Sequence, residues 1–225
     1  MSVWDLIKAQ KFAEACTEAD AEFTRNGDIF SLRNKVFALL QLKRFDEAAS
    51  VAQRIIDMTE GSTDADFIFL GVARWLNHDS SGAINAWQAG THSKYADAAG
   101  GVEIPMLLLF AASKVDDAAL RKQALETLQK SVSAESIVNW PGPIAKYLVG
   151  LSSERELMHA IDSQSTLHEK QKCQAEFYLG VKCFNNRDQT GFRNNMKLCA
   201  DHDIVSVVKP EFHLARGECK NFGSC

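Results

Sequence analysis

The stretch QLKRFDEAASVAQRIID, Gln41 to Asp57, decides the fold, because the chain says it more than once. Near the N-terminus KAQKFAEACTEADAEF, Lys8 to Phe23, runs in the same order: a basic residue, Phe, any residue, Glu, Ala, then a helical run with small residues on one face. Setting Phe12 on Phe45 also sets Glu14 on Glu47, Ala15 on Ala48 and Ala19 on Ala52, an offset of 33 residues. A third copy spans Asp66 to Gly90, where Ala83 takes the place of Ala48 and Trp87 that of Ala52 at an offset of 35. A fourth runs from Gln174 to Ala200; its FYLGVKCFNNRD matches FIFLGVARWLNHD of the third. A fixed period of this length marks a supersecondary unit that cannot bury its apolar face alone and stacks on its neighbours to do so.

These copies resemble the tetratricopeptide repeat, a helix-turn-helix of about 34 residues. Leu70-Gly71 and Leu179-Gly180 match its Leu-Gly in the first helix, and Ala48 and Ala83 match the small residue of the second. Small residues on facing helices allow close antiparallel approach while larger side chains fill the space around them. Two departures stand out: Val36 replaces the usual Gly in the second copy, and Phe192 the usual Ala in the fourth. The resemblance covers Phe12 to Gly90 and Cys173 to Ala215. It implies an all-α fold, a right-handed superhelical stack of helical hairpins, with residues 1–225 as one domain. Between the clear copies the chain reads as divergent hairpins over 103–162: an apolar helix over Glu103 to Val115, then DAALRKQALETLQK with Leu120, Ala124 and Leu128 at helical spacing. A turn at NWPGP precedes two short helices, the second capped by Ser153. Glu211 to Phe222 reads as the closing helix that a solenoid requires. IVSVV, Ile204 to Val208, is too short and isolated to build a sheet.

The formal net charge of -4 argues against a nucleic-acid partner, which calls for a basic stripe. No apolar run approaches membrane-spanning length, the longest being Met106 to Ala112, and MSVWDLIKAQKF lacks the pattern of a secretory leader. The expected location is therefore the cytoplasm, with no membrane partner. Cys16, Cys173, Cys183, Cys199, Cys219 and Cys225 show no zinc-ligand spacing and read as reduced thiols packed between helices.

Catalytic chemistry has no visible foothold. No histidine pair has the spacing of a metal site, and Gly100-Gly101 lacks the downstream Lys and Ser/Thr of a phosphate loop. His202, between Asp201 and Asp203, reads as a solvated turn, and Asp116-Asp117 as a helix cap. No catalytic, cofactor-binding or metal-binding residue is assigned. Residues 1–70 hold twelve acids and eight bases, and the rest of the chain balances, so the whole net charge lies in the first third. Glu60, Asp64 and Asp66 belong to a base-free segment, read as an acidic inter-repeat loop able to meet a basic partner.

The resemblance further implies that Trp75 lines the groove of the stack, with Arg33, Phe37 and Gln41 in the preceding repeat. The expected partner-binding set is thus Arg33, Phe37, Gln41, Glu60, Asp64, Asp66 and Trp75. Asn34 alone matches the peptide-carboxylate clamp of some co-chaperone members; its basic companions are missing, so that specificity is not carried over. The expected function is non-catalytic protein binding in a bacterial cell. One specific form is an immunity protein, an antitoxin that blocks a toxin with a basic active-site surface. Another is a scaffold or chaperone for assembly or secretion, and an enzyme without a recognisable motif is the alternative of a different class.

Overall fold

In the computed structural model, which describes residues 1–163 and 167–222, the first copy folds as α1 (Val3–Lys8) and α2 (Phe12–Asn26). The second folds as α3 (Ile29–Gln41) and α4 (Phe45–Met58), and the third as α5 (Asp64–Leu76) and α6 (Ser80–Gly90). Next come α7 (Glu103–Lys114), α8 (Ala118–Ser131), α9 (Gly142–Leu148) and α10 (Glu154–His159). The fourth copy is α11 (His168–Asn185) and α12 (Gln189–Ala200), and α13 (Pro210–Asn221) closes the chain. Two 3-10 turns, Glu135–Val138 and Ile204–Val208, complete the list; the second occupies the segment weighed above as a strand. No strand forms among the described residues, whose one isolated β-bridge joins Thr63 to Tyr95. The protein is all-α, built of helical hairpins. It divides into two compact units, Met1–Tyr95 and Ala96–Cys225.

Five hairpins turn in the same way. Gln10, Lys43, His78, Asp116 and Arg187 each hold a left-handed backbone, with φ between 55° and 64°. The next residue's N–H then reaches back to a carbonyl five residues earlier: Lys11 to Leu6, Arg44 to Leu39, Asp79 to Arg74, Asp117 to Ala112 and Asp188 to Cys183, all at 2.9–3.0 Å. This helix ending satisfies carbonyls that the helix itself leaves open. Asp79, Asp117 and Asp188 also cap the following helix through their side chains. The α7–α8 pair, read from the sequence as a divergent hairpin, shares this turn and so matches the clear copies in geometry.

Counted from the left-handed residue, the facing positions trade bulk. Val36 and Ala52 hold them in α3–α4, Gly71 and Trp87 in α5–α6, Gly180 and Met196 in α11–α12. A Cβ on Gly71 would collide with the Trp87 indole, and one on Gly180 would lie 2.7 Å from Met196 Cε. Trp87 is fully buried, and its Nε1 donates to the Ile68 carbonyl at 3.0 Å. The two substitutions that depart from small-on-small packing are therefore linked: Trp87 fits because Gly71 faces it, and Val36 fits because Ala52 faces it. Phe192 is likewise buried, edge-on to Phe184 and Phe222.

In the first unit α3 packs on α2 and α4 and also lies against α1 and α5, so the odd-numbered helices share one side. In the second unit α7 is buried from Ile104 to Ser113. The helix α8 buries Leu120, Ala124 and Leu128, the stripe its spacing predicts. Ser153 forms a capping box with Glu156, and α13 packs on α11 and α12. Cys16, Cys173, Cys183, Cys199 and Cys219 are free thiols; Cys225 lies outside the described residues. No helix among the described residues is long and apolar enough to cross a membrane.

Candidate functional site

Arg33, Phe37 and Gln41 recur every four residues on α3, which places them on one stripe of that helix. Arg33 forms a bidentate ion pair with Asp66 of α5, Nε to Oδ1 and Nη2 to Oδ2, both 2.8 Å. The hydrogen bonds to Asp66 push the Arg33 pKa up, so the guanidinium is locked in its charged form. One helical turn along, the Phe37 ring meets Phe69 edge-on with centroids 4.8 Å apart. Between these contacts lies an apolar notch of about 50 Å³, lined by Val36, Phe37, Ala52, Ile55, Ala65 and Phe69, with the Arg33–Asp66 pair at its wall. The notch exists because Ala52 stands where Trp87 stands in the next hairpin.

The structure thus brings Arg33, Phe37 and Asp66 together. Gln41 continues the stripe at the end of α3 and does not line the notch. Trp75 is half-buried and stacks on Trp87 with centroids 5.9 Å apart, away from the notch. The acidic segment is not the solvated loop read from the sequence. Asp64 and Asp66 form the first turn of α5 and are only 7% and 4% exposed; Glu60 alone is an exposed turn residue, at φ 52°. The physical reason is twofold. Carboxylates stabilise a helix N-terminus, and Arg33, thirty-three residues earlier, supplies the charge that Asp66 needs to be buried.

Sequence reasoning missed Phe30. It begins the same stripe, is 68% exposed, and carries the Arg33 guanidinium 5.2 Å from its ring centre. Its position three residues before Arg33 was the available signal. Together Phe30, the Arg33–Asp66 pair and the notch offer an exposed ring, a fixed pair of charges and a hollow the size of a few methyl groups.

Other titratable groups cluster in the second unit. In the second unit Gln174 Nε2 donates to Glu103 Oε1 at 3.0 Å and to Glu211 Oε1 at 3.1 Å, while Gln174 Oε1 accepts from Trp140 Nε1 at 2.8 Å. Glu211 is fully buried, and burial, then the nearby Glu103 carboxylate, push its pKa up to about 7. His202 is not in a solvated turn. Its ring is clamped between Glu169 at 2.8 Å and Glu176 at 2.7 Å, with the side chain 7% exposed. Those glutamates are two turns apart on α11 and so share a face. The bond to Glu176, then the one to Glu169, raise the His202 pKa against the opposing effect of burial. Among the described residues no group of three or more His, Cys, Asp or Glu could hold a metal ion.

No protein-family model matches the chain, and no curated protein matches it either.

Proposed function

We propose that the chain is a tetratricopeptide-like module that binds another protein through the α3–α5 side of its first unit. The notch carries this reading. It is too small for a drug-sized ligand, which takes ~300–1,000 Å³, yet it is apolar, bounded by a fixed ion pair and adjoined by an exposed Phe. That combination suits one aliphatic or aromatic side chain of a partner, with Phe30 covering its surroundings. Aromatic and Arg residues are the commonest energetic anchors of such contacts. The acid surplus of the N-terminal third favours a basic partner. The narrower form of the proposal is an immunity protein occluding the basic active site of a toxin in a bacterial cytoplasm.

The test is affinity capture from a lysate of the source organism, mass spectrometry of the captured protein, then titration of the purified pair. Phe30→Ala and Phe37→Ala should each weaken binding at least tenfold, mainly through faster dissociation. Val138→Ala, at an exposed position of the second unit, should leave it unchanged. If both phenylalanine variants keep their helicity and bind as the wild type does, the proposed face is wrong. If the captured protein is a secretion or assembly factor, the immunity form gives way to the scaffold form.

A further inference from the structure

The turn of the α11–α12 hairpin closes one end; the opposite end carries two facing thiols. Cys173 near the start of α11 and Cys199 near the end of α12 are both fully buried, and their sulfurs lie 3.1 Å apart. Even non-bonded carbon atoms prefer ~3.5–4.0 Å, and sulfur is larger. The Cys173 sulfur also lies 3.6 Å from the Cys199 carbonyl, and the Cys199 sulfur 3.6 Å from the Glu211 carbonyl of α13. The His202 clamp, two residues after α12, holds α12 to α11 at the same end. Both sulfurs are therefore presented to each other by backbone that other contacts already fix.

We propose that Cys173 and Cys199 form a disulfide that fastens the open end of this hairpin when the chain folds in the presence of a small-molecule disulfide oxidant. A bridge has an S–S distance of about 2.05 Å, so the sulfurs must approach by about 1 Å. The chemistry is two thiol–disulfide exchanges. One cysteine thiolate attacks a sulfur of the oxidant, forming a mixed disulfide and releasing one thiolate. The second cysteine thiolate then attacks the protein sulfur of that mixed disulfide and releases the other thiolate. Two protein thiols are oxidised, the oxidant is reduced to two thiols, and the two protons go to solvent or to the released thiolates. Burial holds the Cys199 thiol well above its ordinary pKa in the folded chain. Exchange therefore belongs to the folding step, before α13 covers the pair, and is slow in the folded protein.

The experiment refolds the full chain from denaturant in a mixture of oxidised and reduced glutathione, alkylates remaining thiols and maps the peptides by mass spectrometry. The expected result is a cross-linked pair of peptides joining Cys173 to Cys199. The melting temperature should stand roughly 10 °C above that of the same sample in reductant, as expected for closing a loop across 26 residues in a chain of this size. Cys173→Ala and Cys199→Ala should each abolish that difference. The wild-type protein decides the matter even if a variant folds poorly. Recovery of both thiols alkylated, with no linked peptide, overturns the proposal. So does a linked form that melts below the reduced one, because the helices would then not be set for the bond.

Discussion

Glu211→Gln isolates one buried proton. With a folded pKa of about 7 and an ordinary value of 4.5, Glu211 keeps its proton in the fold where the unfolded chain has released it. Its contribution is fully present below pH 4.5, is lost as pH rises towards 7, and stays lost above that. At ~1.4 kcal/mol per pKa unit, the loss is about 3 kcal/mol. On the same helix His213 works in the opposite sense. Burial depresses its pKa from 6.5 to about 4, and its Nε2 donates to the Val207 carbonyl at 2.7 Å. The folded chain keeps His213 neutral, so stability is gained as pH rises from 4 to 6.5, by a similar amount. The two effects nearly cancel in the wild type between pH 4.5 and 6.5. Glutamine retains an acceptor for Gln174 but cannot ionise, so the variant should grow more stable by about 3 kcal/mol across that window. The assay is a urea titration at pH 4.5, 6.5 and 8, read by pulsed hydrogen exchange and mass spectrometry of α13 peptides, which reports on this helix alone. A variant whose urea midpoints follow the wild type at all three pH values would refute the titration of Glu211 in this range.

Gly71→Ala should cost about 1–3 kcal/mol in urea unfolding, because the new methyl meets the Trp87 indole, and Trp87→Leu in the same chain should recover part of that loss. Arg33→Ala leaves the Asp66 side chain, 3% exposed, as an unpaired buried charge; destabilisation of about 3–5 kcal/mol is expected, and Arg33→Ala with Asp66→Ala should be milder than Arg33→Ala alone. His202→Gln should remove a pH dependence. The raised His202 pKa gives stability that is whole below pH 6.5 and is lost as pH rises through the folded value, and melts across pH 6–9 should show a steeper decline in the wild type than in the variant.

The hairpins of the first unit were legible because Phe12 and Phe45, with their trailing alanines, encode helix contacts directly in residue type. The α7–α8 pair was legible as a divergent helical hairpin but not as a copy of the repeat. Its identity lies in a backbone turn that Gln, Lys, His, Asp and Arg all adopt, and no shared side chain advertises it. For Asp64 and Asp66, a base-free acidic run suits a loop and a helix N-terminus equally, and Arg33, the partner of Asp66, sits a whole repeat away. The Cys173–Cys199 contact and the His202 clamp join residues 26 to 33 positions apart across a hairpin, where spacing along the chain carries no signal. Of the notch, Arg33 and Phe37 were named from the sequence as groove residues and lie one turn apart on α3, while Phe30 and the hollow behind Ala52 emerge only in the fold.

The exchange of bulk between Val36 with Ala52 and Gly71 with Trp87 limits how such a chain can be recombined. A single helix cannot be transplanted between its repeats. Joining α3 to the second helix of the next hairpin would set Val36 against a tryptophan, and the reverse graft would face Gly71 with Ala52 and leave a void. Averaging the copies into a consensus fails for the same reason, since the mean of two lock-and-key pairs fits neither. The piece that can be duplicated, deleted or swapped is the whole hairpin, turn included. Neighbouring repeats are then free to drift apart in composition so long as each drifts as a matched couple.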